Sequence, residues 1–189
     1  MYHLPQRQPI RNSNHDYNQP CSYFITIDIR FGQCLFGYAK ADNQIELNSL
    51  GKMAESCWKE IPVHFPHVLL GKYVVMPNHL HGIVHLRSKG AKYDKESTAI
   101  DLPIRYVHPA DFEPNRFGPL KKGSLAIVLN QFKSTVTRWA NINQKDSFFE
   151  WHEKFFDRAV KDKEALYVAE KYIEMNPHKW WLKYGSRDW

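Results

Sequence analysis

Two short stretches carry residue types able to do chemistry: KYVVMPNHLHGIVHL, residues 72–86, and KYIEMNP, residues 171–177. In a strand, residues two apart project to the same face, so His79 and His81 point together while Leu80, Gly82, Val84 and Leu86 form the opposite, apolar face. His85 falls on the histidine side, unassigned. Two imidazoles so placed can chelate one divalent ion, and a rigid strand limits the entropy lost on binding. The pair is not specific by itself: a chain with ten histidines produces such spacings by chance on a polar strand face. Zinc hydrolases also use H-x-H pairs, so even a metal site leaves the reaction open.

In KYIEMNP, Tyr172 and Asn176 are four apart and share one face of a helix, with an amide oxygen available to a hard cation. Asn176 precedes a proline, which disfavours the α region and predicts a helix boundary there. The plainer reading is an aromatic beside the core stripe Leu166, Ala169 and Ile173, followed by an asparagine stop. Taken with the histidines, the residues fit one reaction. A tyrosine hydroxyl attacks a phosphodiester, and a cation held by two imidazoles and an amide withdraws charge from the phosphoryl oxygens. A phenol ionises near a pH of about 10, which makes phenolate a good leaving group and the cleavage reversible.

The elements that must position these residues follow from periodicity. SYFITIDIRFG predicts a strand over roughly 22–30. LNSLGKMAESCWKEI places Leu47, Leu50, Met53, Ala54, Cys57, Trp58 and Ile61 at helical spacing, with Pro62 as terminator. Two apolar runs about Pro77-Asn78 predict a hairpin. Residues 87–120 show turn clusters and no period, predicting a long surface connection. SLAIVLNQFKSTVTRWA is a second amphipathic helix, FFEWHEKFFDRAV a strand, and DKEALYVAEKYIEMNP a third helix, capped by Asp162 and ending before Pro177. The order strand, helix, strand, strand, helix, strand, helix predicts an α+β fold. It is a ferredoxin-like split βαβ, a four-stranded antiparallel sheet with two helices on one face plus a C-terminal helix carrying Tyr172.

The 189 residues suit one domain over 21–189, preceded by a flexible arm over 1–20 rich in Gln, Asn, Pro and Arg. A formal charge of +6 favours a polyanionic partner. Without an apolar run of membrane-spanning or signal-peptide type, the expected location is cytoplasmic. Cys21, Cys34 and Cys57 form no C-x-x-C pair and are expected to be reduced.

MPNHLHGIV, NRFGPLKKGSLAIVLNQFKSTVTRWA, FFDRAVKDKEAL and KYIEMNPHKWW together resemble the HUH single-tyrosine transposases, in particular the REP-associated tyrosine transposases. HDYNQPCSYFITIDIRFGQCLFG resembles them too, so the resemblance covers nearly the whole chain. It implies an enzyme that cuts and rejoins single-stranded DNA next to imperfect hairpins through a 5′-phosphotyrosine. By position, it implies His79, His81 and Asn176 as ligands to Mg²⁺ or Mn²⁺ and Tyr172 as nucleophile. Relatives include dimers that exchange catalytic helices as well as monomers, so a homodimer is compatible with it. Lys121, Lys122, Lys133 and Arg138 are expected phosphate contacts, and Trp180 and Trp181 expected base-stacking surfaces. The chain departs from many relatives in having Asn14-His15-Asp16-Tyr17 where they carry Gly-Tyr-Asp-Tyr. His152 is expected to pack within its strand. Two rival functions remain: a catalytically idle module of the same fold that binds hairpin nucleic acid, and a zinc hydrolase built on the H-x-H pair.

Overall fold

The computed structural model describes residues 21–87, 124–144 and 148–185. The expected arm, most of the long connection, Lys121 and Lys122 lie outside the described residues.

Four strands make the main sheet: β1 (Cys21–Asp28), β4 (Val68–Val75), β5 (His79–Leu86) and β6 (Phe156–Val160), in the order β4-β5-β1-β6 with every neighbour antiparallel. This is the expected ferredoxin-like sheet. Alternation along β1 sends Tyr23, Ile25 and Ile27 to one face, and Leu80, Val84 and Leu86 of β5 join them there. Helices α1 (Ser49–Lys59) and α3 (Leu125–Asn143) cover that face with Leu50, Ala54, Trp58, Leu129, Phe132 and Val136. Asn48 caps α1, its Oδ1 accepting from the Gly51 amide at 3.0 Å.

Gly82 admits Trp58 to this core. A Cβ at Gly82 would stand 2.4 Å from the Trp58 ring, so Gly82→Ala is expected to overpack the layer and cost about 1–3 kcal/mol. Urea unfolding of the two proteins measures it, and an unchanged midpoint would show that the indole moves freely.

The other face carries His79, His81, Ile83 and His85, and helix α4 (Lys163–Tyr184) lies across it. The histidine side of β5 is therefore an interior surface: His81 is 6% exposed and His85 2%. Asp162 caps α4 as expected, accepting from the Ala165 amide at 2.7 Å.

Three boundaries differ from the expectation, and one small hairpin is additional to it. Helix α4 runs through Pro177 to Tyr184 instead of stopping before it. Its far half is held from outside, because His178 Nδ1 bonds Asn43 Oδ1 at 2.9 Å, and such contacts offset the amide and the space a proline removes. Asn43 belongs to a small hairpin, β2 (Gly37–Ala39) and β3 (Ile45–Leu47), too short to show alternation in the sequence. Pro62 does not end the helical run, since it occupies the first turn of a short helix α2 (Ile61–His64), where its missing amide hydrogen is not needed. The strand expected from FFEWHEKFFDRAV is confined to β6, preceded by a single bridge between Trp151 and Ile29. His152 accordingly sits exposed in a loop, its Nδ1 paired with the Lys154 backbone, and not in strand packing.

Candidate functional site

The cluster is built from a strand pair and a helix. His79 and His81 leave the same face of β5, and their Nε2 atoms meet at 3.0 Å. Each ring is steered by a bond on its other nitrogen. His79 Nδ1 lies 2.5 Å from Asn78 Oδ1, whose orientation is fixed because Asn78 Nδ2 donates to the Gly32 carbonyl. An acceptor at Nδ1 puts the proton there and leaves the Nε2 lone pair bare. His81 Nδ1 lies 2.8 Å from Thr26 Oγ1, the cross-strand neighbour in register on β1.

Helix α4 supplies the lid. Asn176, 7% exposed, brings its side chain within reach of the His79 imidazole. One turn earlier, Tyr172 sets its ring edge-on to His81 at 5.2 Å and to Phe24 at 5.7 Å. Trp180, one turn later, lies 5.8 Å from the His79 ring. The helical period thus brings Tyr172, Asn176 and Trp180 to the histidines. Tyr172 is 41% exposed, whereas His81 and Asn176 beside it are buried.

Burial holds both imidazoles neutral. It pulls His79 down to about 4, against a smaller opposite effect of the Asn176 bond. It pulls His81 to about 3, with the neighbouring His79 acting in the same direction. Neutral imidazoles with converging Nε2 atoms fit a divalent cation, since adjacent ligands about 2.1 Å from one ion and at right angles to each other stand about 3.0 Å apart. Among the described residues, no group of three or more histidine, cysteine or carboxylate side chains could hold a metal. The side chains brought together here are two imidazoles with the Asn176 amide beside them, a set that lacks, among the described residues, the third histidine, cysteine or carboxylate of a zinc hydrolase.

His85 is separate. Its Nδ1 pairs with Ser22 Oγ at 2.6 Å, and its Nε2 faces Gly71, where a Cβ would stand 2.9 Å away. Burial pulls its pKa down to about 4, against about 6.5 in the unfolded chain. The unfolded chain takes up this proton as pH falls through 6.5, the folded one only near 4. The neutral ring's stability is thus complete above 6.5 and is lost as pH falls toward 4. Between pH 7 and pH 5 the protein is expected to lose about 2 kcal/mol from this group. Denaturant titrations of His85→Gln should show a correspondingly shallower pH dependence; equal slopes would remove the assignment.

The remaining expected residues divide. Trp180 joins the site, whereas Trp181 packs toward Gly185 at the helix end. Lys133 and Arg138 ride on α3, across the sheet from the histidines. Lys133 Nζ donates to the carbonyls of His152 and Glu153 at 2.9 and 3.2 Å, and burial lowers its pKa. Thr26, Asn78, Phe24 and Lys179, whose Nζ lies 5.0 Å from the Tyr172 ring centre, were not singled out from the sequence. Strand register would have pointed to Thr26; Asn78 and Lys179 adjoin the expected residues His79 and Trp180.

The fold and site define a ferredoxin-like α+β domain with a two-histidine, asparagine and tyrosine cluster between sheet and C-terminal helix. No family model matches the chain. A Haemophilus influenzae protein described as uncharacterized is 32% identical over 177 residues, covering 94% of this chain and 91% of that one, and the chain belongs to the same family as that protein. A solved structure of a REP-associated tyrosine transposase bound to a REP hairpin is similar at a TM-score of 0.55, covering 87% of this chain and 71% of that one. At 14% identity, that likeness is one of fold. Among the described residues, no helix is long and apolar enough to cross a membrane.

Proposed function

We propose that the protein is a metal-dependent endonuclease and strand transferase for single-stranded DNA, acting beside hairpins with Tyr172 as its nucleophile. The observation that carries this reading is the meeting of Tyr172 and Asn176, from one face of α4, with the converging Nε2 atoms of His79 and His81. His79, His81 and Asn176 would hold Mg²⁺ or Mn²⁺. When bound, such an ion withdraws charge from the non-bridging oxygens of a phosphodiester. The hairpin-bound transposase of like fold supports DNA as the substrate class, as does the charge of +6.

In the reaction, Tyr172 Oη bonds to phosphorus, the bond from phosphorus to the 3′ oxygen breaks, the phenol proton leaves to solvent and the departing 3′ oxygen takes one proton up from solvent. The products are a 5′-phosphotyrosine and a free 3′ hydroxyl. A second 3′ hydroxyl attacking the phosphotyrosine rejoins strands and restores the phenol. Thr26 and Asn78 hold the imidazoles in place throughout, and the His81 and Phe24 rings fix the plane of Tyr172. Trp180 stands where an unpaired base would stack. Lys121, Lys122, Lys133, Arg138 and Trp181 are proposed as outer contacts to the strand.

The test is a denaturing gel of end-labelled, hairpin-bearing single strands incubated with the protein and Mn²⁺. A band retarded by the mass of the protein is expected. Hairpin binding without any covalent band, across strands of varied flanking sequence, would favour the idle binding module instead.

A further inference from the structure

Beside Tyr172, on the histidine face of the sheet, a cleft of about 470 Å³ opens between β6 and the first half of α4. Small-molecule sites span about 300–1,000 Å³, so the space takes one small organic group. Its walls follow from register: Thr26 pairs with Phe156 and Phe24 with Arg158, so alternate residues of β6 present Phe156 and Arg158 on the histidine side. Phe24 forms part of the lining, next to Tyr172. Phe156 and Val168 line the cleft while 46% and 60% exposed, an apolar surface left open to water.

Among the described residues, Arg158 is the only cation lining the cleft, and it makes no hydrogen bond or ion pair with another of them. Asp162 and Glu164 also line it, but they sit at the first turn of α4, and Asp162 is engaged in capping. The Tyr172 end thus combines aromatic rings with one unpartnered guanidinium. That chemistry fits a group flat and apolar at one end and anionic at the other: aromatic rings stack nucleobases, and a guanidinium takes a phosphate in a two-pronged grip.

The geometry points to this cleft as a slot for one deoxynucleotide of the substrate strand, its base against Phe24 and Phe156 and its phosphate on Arg158. Placing that nucleotide next to the scissile phosphate rests on Tyr172 being the attacking residue, as proposed above. Arg158 is then a binding residue that sets which nucleotide adjoins the cut.

The experiment titrates the full-length protein with each of the four deoxynucleoside 5′-monophosphates, without divalent ions, and follows backbone amides by NMR. Saturable shifts at Phe24, Arg158 and Ala169 are expected for at least one nucleotide, weaker by about tenfold or more in Arg158→Ala. Arg158 is exposed, so this variant should fold. Inorganic phosphate is expected to leave Phe24 unmoved; if it reproduces the nucleotide shifts, the cleft is a mere anion site and the slot is overturned. If hairpin strands form the covalent adduct while no nucleotide moves these amides and Arg158→Ala reacts at the unaltered rate, the slot is wrong and the nuclease stands. If nucleotides fill the cleft but no strand ever forms an adduct, the slot stands and the tyrosine chemistry falls.

Discussion

Tyr172→Phe is expected to lower covalent DNA adduct formation by at least about a thousandfold, because it removes the atom proposed to bond to phosphorus. What makes the substitution informative is how little else it changes. The phenylalanine ring keeps the edge contacts to Phe24 and His81 and the approach of Lys179. With the residue 41% exposed, no buried partner is orphaned, so stability should stay within about 0.5 kcal/mol. Mn²⁺ affinity should hold as well, since the three proposed ligands are untouched. An adduct persisting in this variant at a comparable rate would place the nucleophile elsewhere.

His81→Ala is expected to weaken Mn²⁺ binding, measured by calorimetry, by at least about a hundredfold, since it deletes one of the three proposed protein donors. Thr26→Val provides the graded companion. It keeps the shape of the side chain but removes the oxygen 2.8 Å from His81 Nδ1, and loss of such a supporting bond typically weakens a metal site by about 10–100-fold. If Thr26→Val binds Mn²⁺ as the parent does, the ring is oriented by packing alone, its stack on Phe24 at 5.3 Å being the evident alternative. If His81→Ala also binds normally, the histidine pair is not the metal site.

Much of the architecture could be read from periodicity, and the reasons are local. Strand alternation in HLHGIVHL placed His79 and His81 together, and the structure puts Leu80, Val84 and Leu86 in the core opposite. The spacing of Tyr172 and Asn176 placed them on one helical face, and that face meets the histidines. What stayed hidden depends on pairing between distant segments. Thr26 and Arg158 acquire meaning only from the register of β1 with β5 and β6. Pro177 misled because a local rule about backbone shape yields to the tertiary contacts of His178 and Trp180. The open cleft has no sequence signature, because the exposure of Phe156 is set by where α4 lies.

Lys72, at the bulge where β4 slips register between Leu70 and Tyr73, ion-pairs with Glu174 and reaches Glu170 at 3.8 Å, both on α4. These side chains are 30–43% exposed, and the screening length shrinks from about 10 Å in 0.1 M salt to about 3 Å in 1 M. The joint beside Tyr172 and Asn176 is thus partly electrostatic, while the histidines belong to a rigid sheet. Rising ionic strength should therefore act on this protein in two separable ways, loosening the proposed hold on a charged strand and slackening the contact that keeps Tyr172 and Asn176 set against the histidines.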